Sequence, residues 1–470
     1  MSDQRPLGNI RLCGMTSQRN GYGDTIDEES PLLDHENHLA LSNICMIEGD
    51  GYHRNVRPHL DLTYDPNSNI AGAILSHPSR VWGVKSKILL ACYVTFLLVM
   101  LPLGIFTGRH DWHPNRVFAV NLTAISLLTV VLEFATKQAS LNLPDVPGSI
   151  IYALLGNIAE LIIGTVALRN GQIDTVQSIM LGSILSSLLL FMGMCFFIGN
   201  ILNMRDVLDT QGIQQSFSPI GVRTTRSLIV VSSAFLFLPT AFHFMFYPVD
   251  HESVRQATIS LSRGISIILL LLYILYLILN LHTHTNIFIV DVSHYDEEAE
   301  DPIITLLPAL TLLTVAACCV AVCASHLLNS IFQITHITKS FGTFILIPIM
   351  SNATGNVTAV IMAVRNKMDL AIRITTGSSI QIAFFVIPSL VMLGWTVGDE
   401  AMDLRYGYFQ GLVYALSTLV VITSLTKRGT SNYLKGAMSL GMYTVVALAA
   451  AVNISYNRER VERVSQNIPS

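Results

Sequence analysis

Two similar stretches, 195 residues apart in register, place polar side chains inside apolar sequence. The first, GNIAELIIG at 156–164, contains Glu160, and the second, SNATGNVTA at 351–359, has Gly355 in place of a carboxylate. A carboxylate removed from water binds protons more readily and can alternate between a proton and a cation. Glu160 is therefore the predicted proton- and cation-coupling residue and the predicted contact to a metal ion. The alternative is a neutral carboxyl group that is hydrogen-bonded to the backbone.

The composition predicts a membrane protein with many spans. Of the 470 residues, 51% are hydrophobic and 13% are charged, whereas soluble proteins average roughly 25% charged residues. The formal net charge of −4 and the absence of a basic run give no indication of nucleic-acid binding. The seven cysteines form no CxxC pair, so they are interpreted as packing residues.

Eleven apolar segments are long enough to be membrane-spanning helices, which need about 20 residues. Their approximate limits are 88–106, 117–135, 149–168, 176–201, 227–247, 260–281, 303–331, 337–362, 370–395, 408–425 and 434–454. They predict an all-α membrane protein with eleven transmembrane helices in the lipid bilayer. Basic residues near the ends of the segments favour a cytosolic N-terminus.

The chain is predicted to have five parts. Residues 1–80 are polar and form a disordered cytosolic tail, whose EESPLL stretch at 28–33 resembles an acidic dileucine sorting signal. Residues 81–285 hold a leading helix and a first repeat, 303–455 a second repeat, and 456–470 a C-terminal tail. The acidic cytosolic loop or helix at 286–302 contains Asp296, Glu297, Glu298, Glu300 and Asp301. This loop is either simply solvated or concentrates cations at the cytosolic mouth.

The two halves match without gaps beyond the opening pair. At the same offset, Asp174 meets Asp369, Gly182 meets Gly377, and Ser183 meets Ser378. Glu160 lies on the third span and Gly355 on the eighth, an odd offset of five, so the second copy is expected to enter the membrane inverted. Inverted repeats with polar interruptions are typical of secondary transporters, whose ion site lies near the bilayer midplane. The alternative is a duplication kept for packing, in which small residues let helices approach closely.

Longer motifs resemble the calcium/proton exchanger family, the vacuolar type within the calcium:cation antiporter superfamily. GNIAELIIGTVALRNGQIDTVQSIMLGSILSSLLL at 156–190 is similar to the first signature repeat of that family. KMDLAIRITTGSSIQIAFFVIPSLVMLGW at 367–395 is similar to the second. The resemblance implies one leading helix followed by two inverted five-helix repeats. It also implies exchange of cytosolic calcium for lumenal protons at a vacuole or another acidic organelle.

The chain departs from the family at acidic positions. The family has a glutamate where this chain has Gly355, and acidic residues where it has Lys137, His326 and Lys339. Hard divalent cations take about 6–8 oxygen ligands, usually with several carboxylates. A single carboxylate would therefore leave net positive charge in a low-dielectric site. Lys137 and His326 would oppose calcium further if they faced the site.

Neutral oxygens are expected along the cation path. The predicted path residues are Asn157, Ser183, Ser186, Asn352, Ser378, Ser379 and Gln381. The predicted function is a vacuolar-membrane cation/proton antiporter with a degenerate second-repeat site. We expect a transporter without enzymatic activity and without a cofactor, for which a homo-oligomer is an open possibility. The alternatives are a sodium or potassium/proton exchanger and a non-transporting regulatory paralogue.

Overall fold

The computed structural model describes residues 84–109, 112–203, 215–216, 219–246, 251–279, 302–331, 333–334, 339–397, 402–425 and 430–466. The predicted N-terminal tail lies outside these ranges. So does the acidic loop with Asp296, Glu297, Glu298, Glu300 and Asp301.

Helices make up nearly all of the described chain, since backbone N–H and C=O groups in hydrocarbon must be bonded within their own segment. They are α1 (Val84–Phe106), α2 (Pro114–Leu141), α3 (Asp145–Leu155), α4 (Ile158–Arg169), α5 (Ile173–Leu185), α6 (Met192–Asn203), α7 (Pro219–Phe246), α8 (His251–Ile278), α9 (Leu306–Ile331), α10 (Lys339–Phe341), α11 (Ile347–Ser351), α12 (Ala353–Val364), α13 (Met368–Gln381), α14 (Ile387–Val397), α15 (Tyr408–Ser424) and α16 (Tyr433–Gln466). Three π-helical turns, Ser186–Phe191, Gly342–Leu346 and Ile382–Val386, continue α5 into α6, α10 into α11 and α13 into α14. Two short strands, β1 (Gln215–Ser216) and β2 (Thr430–Ser431), pair antiparallel.

Among the described residues, seven helical runs are long and apolar enough to cross a membrane. Two bent pairs bring the number to nine: α3 with α4, bent by 45°, and 342–351 with α12, bent by 63°. Tyr93–Phe106 and Tyr408–Ser424 are shorter apolar helices. Each predicted apolar segment thus overlaps a helix, and length and composition support seven to nine spans. The segment predicted as a C-terminal tail from residue 456 continues α16 to Gln466.

The repeat seen in the sequence recurs in the backbone. Asn157 and Asn352 both stand at the break of a bent pair, with φ and ψ of −118° and 39° and of −96° and 4°. The turn after each pair contains a residue with positive φ, Gly171 at 66° and Asn366 at 62°. Glycine and asparagine are the residues that tolerate this left-handed conformation. Because both pairs share the offset of 195, the two halves fold alike at their centres.

A segment that is not helical, 402–407, forms hydrogen bonds to α5, and its residues Met402, Asp403, Leu404 and Tyr406 are buried. The Asp403 carboxylate accepts hydrogen bonds from Gln177 Nε2 on α5 (3.0 Å) and from the backbone N–H of Arg405 (3.2 Å). Burial raises the pKa of the Asp403 carboxyl group, and the nearby Arg405 charge opposes that rise. These bonds hold the start of α5 in place.

Equivalent glycines of the two halves are packed differently. A Cβ on Gly182 would collide with the Phe344 carbonyl group and would lie 2.7 Å from Cγ of Pro348. A Cβ on Gly377 would have no atom of the described residues within 4 Å. Gly182 is therefore tightly packed against the second half, whereas there is free space beside Gly377.

This difference predicts opposite effects of the same substitution. Gly182→Ala should destabilise the protein by about 1–3 kcal/mol, because the added methyl group meets backbone that cannot move aside. Gly377→Ala is the matched control and should be neutral or stabilising, since alanine favours a helix by about 1 kcal/mol over glycine. Thermal unfolding of the purified protein in detergent measures both, and equal melting temperatures would contradict the packing asymmetry.

Candidate cation site

Two helix breaks form the centre of the site. Gly156 and Asn157 separate α3 from α4, and Asn352 separates α11 from α12. The first N–H groups of a helix have no partner within it, and their partial positive charge favours a nearby anion. Glu160 lies in the first turn of α4. The break therefore places a carboxylate where a helix end supports its charge.

A cavity of about 270 Å³ opens beside both breaks. Its walls come from α2, α3, α4, α12 and α13 and from the end of α11. Its polar lining residues are Thr129, Glu133, Thr136, Tyr152, Asn157, Glu160, Ser351, Asn352, Thr354, Asn356, Ser378 and Gln381. Among these described residues, two carry a carboxylate and none carries a positive charge. The cavity is large enough to hold a cation with some of its water.

Glu160 is buried but not fully bonded. Its side chain is 2% exposed, and the Ser351 side chain from the second half interacts with its carboxyl group. The Oε1 atom has no hydrogen-bond partner among the described residues. An unsatisfied buried polar atom costs roughly 1–3 kcal/mol, and more when it is charged. This oxygen is therefore suited to holding a proton or a cation.

Asn157 bonds across to the second half. Its Nδ2 donates to the Ser378 carbonyl (3.3 Å), and Ser378 Oγ donates to Asn157 Oδ1 (3.0 Å). The equivalent pair, Asn352 and Ser183, does not bond in this way. Nδ2 of Asn352 and Oγ of Ser183 are buried without a hydrogen-bond partner in the described part of the chain. The polar contacts repeat the asymmetry of the glycine packing.

Gln381 and Asn356 also link the halves at the cavity. Gln381 Nε2 donates to the Leu154 carbonyl (3.2 Å), and a Cβ on Gly156 would lie 3.0 Å from Gln381 Oε1. The glycine thus leaves room for the Gln381 amide beside the break. Asn356 Nδ2 donates to Ser187 Oγ (3.0 Å).

The structure brings some of the predicted path residues together and leaves others out. Asn157, Asn352, Ser378 and Gln381 line the cavity with Glu160, whereas Ser183, Ser186 and Ser379 do not. Ser186 Oγ donates to the Ser183 carbonyl (3.1 Å), and Ser379 Oγ donates to the Thr375 carbonyl (3.0 Å). Such bonds to the preceding turn are usual for serine inside a helix. The periodicity of the motif did not show which hydroxyl groups face the cavity.

Of the positions that were expected to depart from the family pattern, some line the cavity and others do not. Gly355 lines the cavity, and a Cβ there would meet no atom of the described residues within 4 Å. Lys137 is exposed and is not a lining residue. His326 lies against Gly108, where a Cβ would collide with the imidazole ring. Lys339 begins α10, and its side chain lies outside the described part. Lys137 and His326 therefore do not meet the condition under which they would oppose a cation.

The expectation of a single carboxylate is wrong for the cavity, because Glu133 lines it as well. The sequence contained a signal for this residue. Thr129, Glu133 and Thr136 are spaced by four and three residues, which places them on one face of α2.

No group of three or more His, Cys, Asp or Glu side chains that could hold a metal occurs in the described part of the chain. A cation in the cavity would be bound by one or two carboxylates with neutral oxygens from amides, hydroxyls and water. Such a donor set of hard oxygens suits Ca²⁺ or an alkali cation better than zinc, which takes nitrogen and sulfur ligands.

Comparison with known proteins places this architecture in a family. The sequence profile described as sodium/calcium exchanger protein matches residues 115–282 and 308–452. The chain belongs to this exchanger family. The match spans both helix breaks and both halves of the cavity.

Relatives of the exchanger family cover most of the chain. It is 34% identical over 376 residues to the vacuolar calcium ion transporter of Schizosaccharomyces pombe, covering 79% of this chain and 87% of the relative. It is 34% identical to the Ca²⁺/H⁺ antiporter of Synechocystis, in a match that covers 78% of this chain and 98% of the relative. It is 31% identical to vacuolar cation/proton exchanger 3 of Oryza sativa, in a match that covers 82% of this chain and 94% of the relative.

Solved structures of exchangers share the fold. The structure of native YfkE superposes with a TM-score of 0.61 at 26% identity, over 77% of this chain and 99% of that one. The H⁺/Ca²⁺ exchanger CAX superposes with a TM-score of 0.56 at 13% identity, over 81% and 97%.

The open space at Gly355 gives a test of the missing charge. Gly355→Glu has room for its side chain and should raise the apparent affinity for Ca²⁺ by about tenfold or more, since divalent affinity rises with the number of charged ligands. Gly355→Gln is the matched control, because it has the same size without the charge and should leave the affinity near that of the wild type. Ca²⁺-dependent thermal stabilisation of the purified protein measures the affinity, and equal behaviour of the two variants would contradict the role of charge.

Proposed function

We propose that the chain is a vacuolar-membrane cation/proton antiporter that moves cytosolic calcium into the organelle lumen in exchange for protons. The observation that carries the proposal is the buried Glu160 carboxyl group, whose Oε1 has no hydrogen-bond partner among the described residues in a cavity at two helix breaks. The relatives include a vacuolar calcium ion transporter and a vacuolar cation/proton exchanger, and these support the proposed ion, the proton coupling and the membrane.

The proposed topology has eleven spans. The shorter apolar helices Tyr93–Phe106 and Tyr408–Ser424 would add two to the nine that length and composition support. A leading helix would then precede two five-helix repeats. The matching backbone conformations at Asn157 and Asn352 support the repeat. The two breaks lie on the third and the eighth span, five positions apart, so the second copy would run through the membrane in the opposite direction.

Two cavities support access to the site from both sides of the membrane. The first contains Glu160, and the second, of about 580 Å³, is lined by Asp174, Gln177, Phe344 and Gln410 among others. The α2–α3 turn and the α4–α5 turn lie on opposite sides if the bent pair between them crosses the membrane. The close packing of Gly182 against Phe344 would then be the closed side, and the space at Gly377 the open side, of one transport state.

In the proposed cycle, Glu160 holds a cation in one state and a proton in the other. Burial disfavours the bare carboxylate, so the group releases one partner only as it takes up the other. Neutral oxygens from Asn157, Asn352 and Ser378 would complete the cation's ligands without adding charge. The protein thereby couples the two flows without a cofactor or a chemical reaction.

The replacement of the family's second-repeat glutamate by Gly355 favours a second candidate. A sodium or potassium ion needs less negative charge than calcium, so a monovalent cation/proton exchanger would fit a weakened site. A non-transporting regulatory paralogue would retain the fold with no cation flux.

Proton-driven uptake into sealed, acid-loaded vesicles tests the proposal with Ca²⁺, Na⁺ and K⁺. The wild type should take up Ca²⁺, and Glu160→Gln should reduce uptake to the level of empty vesicles, because the amide cannot exchange a proton for a cation. Glu252→Gln is the control, since Glu252 is an exposed carboxylate paired with Arg255 at 3.5 Å, and such surface pairs contribute about 0–1 kcal/mol.

Each outcome of this experiment decides between the candidates. Uptake of Na⁺ or K⁺ without Ca²⁺ would replace the calcium proposal by the monovalent one. Failure to take up any of the three ions under a verified proton gradient would favour the regulatory paralogue.

A further inference from the structure

Glu133 is an acidic residue in the apolar part of α2. Thr129, Leu132, Glu133 and Thr136 follow the spacing of one helix face, and all four line the cavity that contains Glu160. Thr129 is held toward the second half by a contact between its Oγ1 and Oγ1 of Thr354 (3.3 Å). The face of α2 that carries Glu133 is therefore turned toward the breaks.

The charge of the cavity depends on this residue. Glu160 alone would give the cavity one negative charge, and Glu133 brings the total to two when both groups are ionised. Lys137 lies one turn further along α2 and interacts electrostatically with Glu133, but it is exposed and does not line the cavity. Its positive charge therefore lies outside the cavity.

The second half offers no replacement for this charge in the described part of the cavity. Asn352, Asn356, Ser378 and Gln381 supply neutral oxygens, and Gly355 supplies no side chain. A dehydrated divalent cation needs negative charge as well as oxygen ligands to offset its lost hydration. Glu133 is the second carboxylate that the described cavity provides for this purpose.

We propose that Glu133 is a cation-binding carboxylate, which acts with Glu160 to hold a divalent cation and replaces the charge that is absent at Gly355. This inference rests on the proposed antiport function and deepens it. Both carboxylates then come from the first half, on α2 and α4, whereas the second half contributes neutral ligands. One Ca²⁺ would exchange for two protons, one on each carboxyl group, so that the charge of the occupied cavity is the same in both states.

A different role for Glu133 makes a different prediction. A glutamate and a lysine four residues apart stabilise a helix by about 0.2–0.5 kcal/mol. In this alternative, the pairing with Lys137 within α2 is the whole role of Glu133. A purely structural pair would lower the melting temperature slightly when either member is replaced. It would leave cation affinity and selectivity unchanged.

The test measures Ca²⁺ and K⁺ uptake into sealed, acid-loaded vesicles and Ca²⁺-dependent thermal stabilisation in detergent for one set of variants. Glu133→Gln should raise the KM for Ca²⁺ by about 10- to 100-fold, the range seen when even supporting residues of metal sites are lost. It should shift selectivity toward K⁺, because one carboxylate remains. Lys137→Gln, which removes the other member of the helix pair, should not raise the KM for Ca²⁺.

Restoring the charge elsewhere provides the sharpest comparison. Adding Gly355→Glu to Glu133→Gln returns the cavity to two carboxylates and should recover most of the lost Ca²⁺ affinity. Adding Gly355→Gln, which has the same shape without the charge, should not recover it. Glu133→Gln with an unchanged KM and selectivity would overturn the inference.

The two proposals fail in distinguishable ways. Wild-type transport that is insensitive to Glu133→Gln would refute the role of Glu133 and leave antiport standing. Absence of transport in the wild type, together with Ca²⁺ stabilisation that Glu133→Gln abolishes, would refute antiport and keep the two-carboxylate site. Absence of both transport and Ca²⁺ stabilisation in the wild type would overturn both.

Discussion

The structure depends on the cost of holding the Glu160 carboxyl group away from water. A buried carboxylate is stable only when a helix end, a hydrogen-bond donor, a proton or a cation offsets its lost hydration. The first turn of α4 and the Ser351 side chain supply part of this compensation. Oε1, which lacks a partner among the described residues, leaves the remainder to a mobile ion. The bent helices, the cavity and its amide ligands can all be understood as the setting for that exchange.

The two halves share a backbone plan and differ in what they contribute. Asn157 and Asn352 break their helices at equivalent places, and Gly171 and Asn366 close equivalent turns. The side chains follow a different division, because carboxylates line the cavity from the first half and amides and hydroxyls line it from the second. Similar backbone conformations at the two breaks therefore coexist with different side-chain chemistry. Gly355 lines the cavity from the second half and contributes no side chain to it.

Much of this was predictable from the sequence, for physical reasons that can be stated. Long apolar segments predicted the helices, and the matched motifs predicted that Asn157, Glu160, Asn352 and Ser378 meet. Which side chains face the cavity was not predictable, since Ser183 and Ser186 belong to the same motif as Asn157 and Glu160 but do not line the cavity. Glu133 was not among the predicted site residues, although Thr129, Glu133 and Thr136 are spaced to share one face of α2. Helix rotation, which is determined by packing between helices, decides which of two neighbouring turns reaches the cavity.

In the proposed cycle, a cation and protons compete for the same buried carboxyl groups. Counting the protons released when Ca²⁺ is added to the purified, weakly buffered protein tests this competition. We expect Ca²⁺ binding to release protons in a pH-dependent ratio that approaches two per ion at low pH, where both carboxyl groups are protonated beforehand. Ca²⁺ binding that saturates without releasing protons at any pH would contradict it.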